Sequence, residues 1–232
     1  MNVTGNWFNS STETAVQVES SWRHDKGLLK LQIGHNSFVQ NAKFGIKLSP
    51  ALNLKATIEY NYFREQSNGC ILIKNPLYEE FNILPADIVV RHNEFYNNRG
   101  AFIVSIGLSP YSDVQRLLFT RNFLRDNRVR ELFDNGNTVR SRLIPRSRVA
   151  AVVVVSSSNV EVFRNILHNP ESRYEIGSHL EDQSKIINCT YNWLGFAEEN
   201  KIFERLFHRF VQLIYNINYM IGQCFTNCTV LF

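Results

Sequence analysis

The sequence predicts an all-β chain, a right-handed parallel β-helix (solenoid) of about seven coils with a C-terminal capping helix. Three observations predict it. A four-position pattern recurs along the chain: apolar at −5 and −3, Asn at 0, apolar at +2. Short apolar runs, most of them opened by glycine, fall between the copies. No helical period of 3.6 appears before about residue 198.

Along the chain, a partial copy, MNVTGNWF, surrounds Asn6, and full copies follow as LQIGHNSF around Asn36, ATIEYNYF around Asn61 and IVVRHNEF around Asn93. LLFTRNFL, VEVFRNIL and INCTYNWL then surround Asn122, Asn165 and Asn192. The asparagines are separated by 30, 25, 32, 29, 43 and 27 residues. A further Asn often stands at +5, as Asn41, Asn98 and Asn127. Between copies lie GIKLSP at 45–50, GCILIKNP at 69–76, GAFIVSIGL at 100–108 and VAAVVVV at 149–155. Each repeat therefore offers at least two short strands, which fits one coil stacked on the next. Parallel crossovers are expected to be right-handed. The 43-residue separation requires an inserted loop around 128–147.

Positions −3 and +2 are five apart, so in an unbroken strand they would face opposite ways. A bend must reset the chain, and Asn is the apt residue because it tolerates left-handed angles and can bond nearby main chain. Stacked coils would align the amides into a ladder. An Asn-rich antiparallel protein would leave the fixed spacing unexplained, and no LxxLxL frame persists to support a leucine-rich repeat.

The period changes near the end. Phe203, Leu206, Phe207, Phe210, Val211 and Ile214 follow a three/four spacing, with Glu198 and Glu199 before them and Arg205 and Arg209 within. An amphipathic helix over 198–215 is expected to cover the last coil of a β-helix spanning 1–197. Residues 216–232 form a tail with no persuasive assignment.

Composition is that of a globular chain: 44% apolar and 20% charged residues in 232, with a net charge of +4. So mild a charge gives no reason to expect nucleic acid as a partner. Met1 leads straight into NVTGNWF, so no signal peptide is expected, and the C-terminal apolar stretch is too polar to span a bilayer. Four sequons occur, at Asn2, Asn9, Asn188 and Asn227, about the number chance supplies, so only position is informative. Asn2 and Asn188 both fall at the outward −4 position and are the glycosylation candidates. Cys70 and Cys189, in the third and seventh coils, are expected to lie about 19 Å apart and cannot pair. Cys189 occupies the inward −3 position, and Cys224 and Cys228 are either bridged to each other or free.

β-Helices often carry polysaccharide-active enzymes, whose chemistry needs paired carboxylates on one face, or carboxylates with calcium and a basic residue. The outward positions −1, −2 and −4 place no two carboxylates side by side, and Glu59 and Arg91 are neighbours instead. RLIPRSR at 142–148 resembles a pectate-lyase arginine motif, but its first spacing is off by one. No catalytic residue, metal ligand or cofactor is expected. A lyase-like or glycoside-hydrolase-like enzyme is the alternative. The −1 row reads His35, Tyr60, His92, Arg121, Arg164 and Tyr191, a flat face expected to meet a partner protein or glycan.

Asn36-Ser-Phe, Asn93-Glu-Phe and above all Tyr191-Asn192-Trp193-Leu194-Gly195 carry a family resemblance. Over residues 1–207 the chain resembles the right-handed β-helix repeats of the bark beetle (Anakonda) family of large insect adhesion proteins. That family has Tyr-Asn-Trp-Trp-Gly, an acidic stretch and Ile-x-x-Arg-Ile-Phe; here Leu194 replaces the second Trp, Glu198 and Glu199 follow, and IFERLF occupies 202–207. The resemblance implies a non-catalytic ectodomain segment on the extracellular face of the plasma membrane at cell–cell junctions. Its implied partners are other cell-surface or junction proteins, with glycans suggested by the −1 row alone. It also implies a membrane tether in the full-length protein, of which this chain would be a fragment or a degenerate copy.

Overall fold

Alternation within short strands decides the cross-section of the molecule. The computed structural model describes residues 1–19, 27–50, 53–74, 84–108, 113–130, 150–180 and 187–208. Within them the chain winds through three parallel sheets in turn, each coil adding one strand to each sheet. Sheet 1 stacks Asn2–Thr4, Leu29–Gly34, Leu54–Glu59, Ala86–Arg91, Gln115–Thr120 and Val160–Phe163. Sheet 2 stacks Trp7–Asn9, Ser37–Val39, Tyr62–Arg64, Glu94–Tyr96, Phe123–Arg125 and Ile166–His168. Single bridges, Glu161 to Asn188 and Ile166 to Trp193, continue both into a seventh coil. Sheet 3 runs from Val16–Val18 through Ile46–Leu48, Ile71–Lys74, Phe102–Gly107, Ala151–Val155 and Tyr174–Ser178 to Leu206–His208. The fold is a parallel β-helix, as the repeat predicts.

The registers are strict because each inward column is apolar. Position −3 stacks Ile33, Ile58, Val90, Phe119 and Val162, all fully buried. Position +2 stacks Phe8, Phe38, Phe63 and Phe95, with ring centroids 4.9, 4.7 and 4.8 Å apart and nearly parallel planes. Leu124, Leu167 and Leu194 continue that column, all buried. A one-residue slip in any coil would turn its whole set into water, so the core itself enforces the register.

The key asparagines form one column, and its chemistry repeats at every rung. The Nδ2 of Asn36 donates to Asn61 Oδ1 at 3.0 Å and to the Val3 carbonyl at 2.8 Å. Asn61 Oδ1 also accepts the Asn36 backbone N–H at 3.1 Å. The same set joins Asn61 to Asn93, Asn93 to Asn122, Asn122 to Asn165 and Asn165 to Asn192. Asn6 begins the column by donating to Asn36.

Several expectations need correction. The left-handed residue is the one before each Asn: His35, Tyr60, His92, Arg121, Arg164 and Tyr191 have φ between 52° and 58°. The Asn turns inward as a ladder rung, and its neighbour carries the strained backbone angle. The expectation of at least two strands per repeat is met, since coils one to six each have three main strands, and coils four and five add a short fourth, Arg99–Gly100 and Arg128–Val129. The −2 position is not uniformly outward, since Gly34 and Thr120 are buried. The long insertion lies between Arg130 and Ala150, because Arg128–Val129 pairs regularly with Arg99–Gly100. RLIPRSR lies outside the described residues.

The C-terminal assignment changes most. The helix is only Glu199–Glu204, and Leu206–His208, expected to be helical, is a strand pairing with Ile176–Ser178. The solenoid thus continues through residue 208, beyond the expected boundary at 197, and the helix is a link within the seventh coil. Helix positions 209–215 and the tail 216–232 lie outside the described residues.

Gly69 has φ +96°, and a Cβ there would stand 2.7 Å from the Phe102 carbonyl oxygen. Neither a left-handed angle nor that approach suits alanine. Gly69→Ala is expected to lower stability by about 2 kcal/mol, read as a lower urea midpoint at unchanged slope.

Candidate functional site

The −1 row follows from the bend. A left-handed residue at every sheet 1 to sheet 2 corner throws its side chain outward, so the six side chains form a ridge along the corner and not a flat face. The His35 and Tyr60 rings stack at 5.1 Å, and Tyr60 and His92 at 5.0 Å. Arg164 lies 5.8 Å from the Tyr191 ring and 5.7 Å from Phe163. The structure brings all six predicted residues together, and each is exposed except His92, which is intermediate. His92 Nδ1 is buried without a hydrogen-bond partner.

Beside the ridge is a surface that the repeat pattern does not flag. Position +1 points outward on sheet 2, and there Trp7, Phe123, Ile166 and Trp193 are 72%, 38%, 47% and 43% exposed. The signal available in the sequence was an apolar residue directly after the ladder Asn, where alternation calls for a polar one.

Carboxylates on the outer faces are mostly held by cations. Glu59 meets Arg91 at 2.8 Å, Asp87 meets Arg116 at 3.0 Å, Glu94 meets Arg125 at 3.1 Å and Glu171 meets Arg128 at 2.6 Å. Glu13 and Glu19 are paired with Lys43 and Lys47. Such exposed pairs contribute at most about 1 kcal/mol each. Among the described residues no group of three or more His, Cys, Asp or Glu side chains could hold a metal ion.

Asn2 and Asn188 are exposed on sheet 1. Asn188 Oδ1 accepts the hydroxyl of Thr190 at 2.8 Å, and its Nδ2 donates to Glu161 at 3.1 Å.

Cys70 is buried and Cys189 is half-buried against the core, and neither is bridged. Cys224 and Cys228 lie outside the described residues. Burial pushes the Cys70 thiol well up and the Cys189 thiol up to about 12. Both stay protonated in the folded chain, while the unfolded chain ionises them from about pH 8.5. Their contribution to stability is therefore whole below that pH and declines as pH rises above it. Alkylation by iodoacetamide at pH 8, mapped by peptide mass spectrometry, is expected to be at least about tenfold slower at both cysteines than in urea.

Three stacked sheets, two of them meeting at a corner bonded by an asparagine ladder, define a parallel β-helix solenoid, a class that presents long periodic surfaces. Within that class, the chain is similar to Protein bark beetle of Drosophila melanogaster. The two are 52% identical over 221 residues, which is 90% of this chain and 7% of the relative. The chain thus spans a small fraction of the length of the curated protein it matches, and the predicted resemblance is shown. No protein-family model matches the chain, and no solved structure does.

Proposed function

We propose that this chain is a rigid, non-catalytic β-helix segment of an extracellular adhesion protein at cell–cell junctions, serving as a scaffold for protein or glycan contact. The similarity to Protein bark beetle over 90% of the chain carries this reading, joined to the adhesion role that the family resemblance implies. The architecture supports it. Ladders and stacked rings oppose bending, and among the described residues most of the outer carboxylates sit in ion pairs. Other cell-surface or junction proteins are the expected partners, and a membrane tether belongs to the full-length protein.

The test is clustering. Beads coated with the purified chain are expected to aggregate with each other or with cells displaying junction proteins, while beads carrying urea-unfolded chain do not. The same preparation is expected to release no reducing ends or unsaturated sugars from a polysaccharide panel. Release of either would establish the enzyme reading instead. When the chain is secreted from an insect cell line, peptide mapping is expected to find N-glycans on Asn2 and Asn188, whose outward positions leave room for them.

A further inference from the structure

We propose that the outer face of sheet 2 across coils five to seven, with the adjoining ridge, binds an anionic polysaccharide laid along the rod axis. This rests on the scaffold reading and names the chemistry of its contact. Phe123 and Ile166 are direct neighbours in the sheet, and Ile166 and Trp193 are joined by the next bridge. The three therefore form one column rising about 4.8 Å per rung, all exposed. Two residues before each, on the ridge, stand Arg121, Arg164 and Tyr191.

Charge selects the partner. Among the described residues neither Arg121 nor Arg164 forms an ion pair, whereas Arg125 and Arg128 on the same side are already bridged to Glu94 and Glu171. The Arg121 backbone N–H donates to the Arg164 carbonyl, which fixes the two guanidinium stems on successive rungs. Two guanidinium groups without a carboxylate partner among the described residues, beside a column of apolar and aromatic faces, suit a chain whose sugar faces stack on rings and whose sulfates or carboxylates recur along its length.

Geometry disfavours an extended peptide. Backbone N–H groups of Phe123, Ile166 and Trp193 donate to Asn93, Asn122 and Asn165 of the preceding coils. Between these three rungs the backbone groups are therefore spent within the sheet, and a peptide laid across the face meets no strand edge there. A linear polymer with its own repeat needs no such edge.

The probe is a heparin dodecasaccharide, titrated against the intact chain by calorimetry, with neutral dextran as control. Binding to heparin and not to dextran is expected, weakening steeply as salt is raised. Trp193→Ala, and separately the double variant Arg121→Ser with Arg164→Ser, are each expected to weaken it about tenfold or more. Trp7→Ala, at the far end of the same sheet, is expected to leave it unchanged, and circular dichroism checks the fold of every variant. Absence of heparin binding, indifference to both variants, or equal binding to phosphatidylserine vesicles would overturn the proposal. Should heparin fail while coated beads still cluster, the glycan assignment falls and the scaffold stands; if clustering fails as well, both fall.

Discussion

Asn93→Ala is expected to destabilise the protein by at least about 3 kcal/mol, a large share of the roughly 5–15 kcal/mol that holds a domain together. The size follows from what the side chain satisfies. Asn93 Nδ2 donates to the carbonyls of Ile58 at 3.0 Å and Arg91 at 2.9 Å, and to Asn122 Oδ1 at 3.0 Å. Its own Oδ1 accepts both the N–H and the Nδ2 of Asn61, each at 3.0 Å. Truncation strands donors and acceptors on two adjacent coils, and each buried unsatisfied group costs about 1–3 kcal/mol. Leucine fills the space but satisfies none of them, so Asn93→Leu should be no better. Asn6→Ala is the control: its Thr4 carbonyl partner is exposed to water and Asn36 Oδ1 keeps the Asn6 backbone N–H, so a loss below about 1 kcal/mol is expected. Urea unfolding followed by far-ultraviolet circular dichroism compares them. Equal losses at Asn6 and Asn93 would mean that the ladder does not hold the coils.

The same chemistry explains how much of the fold was readable. An amide that must donate and accept along one axis admits few substitutes, so Asn recurs at every rung and its spacing reveals the coil. The neighbouring left-handed residue has no such signature: His, Tyr, Arg and Gly all occupy it, which is why the strained angle was assigned to Asn itself. A second ladder was only half visible for the opposite reason. It runs Ser11 to Asn41, then Gln66 through Asn98 and Asn127 to Asn169. Asn169 stands at +4 and not +5, and Ser11 and Gln66 break the residue type, so a fixed-spacing search finds three members. The tail misled because three/four periodicity in Phe203, Leu206 and Phe207 also places Leu206 where a strand needs an inward residue. The waiting edge of Tyr174–Ser178 then decided in favour of pairing over local propensity.

Of the candidate surface, the ridge was legible because it sits at a fixed offset from Asn. The exposed column Phe123, Ile166 and Trp193 was not, since +1 played no part in the pattern. Reading it required knowing that sheet 2 begins immediately after the corner, so that +1 faces solvent while +2 faces the Phe stack.

Arg205→Met is the other large effect expected, about 3–5 kcal/mol. The second ladder ends on a carboxylate instead of an amide. Glu175, fully buried, accepts the Asn169 N–H at 2.7 Å and its Nδ2 at 2.6 Å, taking the role a further amide would have played. Its charge is met by Arg205 at 2.7 Å, a residue of the seventh coil just past the short helix. Arg205 also donates to the carbonyls of Ser172 at 2.5 Å and Asn169 at 2.7 Å. Methionine keeps much of the stem but leaves a buried anion without a counter-charge, which is far costlier than losing an exposed pair such as Glu59 with Arg91. Glu175→Gln added to Arg205→Met removes that anion, so the double variant should regain part of the loss, and a double-mutant cycle measures the coupling. Hydrogen exchange should show the single variant opening Leu206–His208 first, because Arg205 is the polar tie between that strand and the coil beneath. A cost for Arg205→Met no larger than that of Arg91→Met would mean that the buried ion pair does not hold the seventh coil.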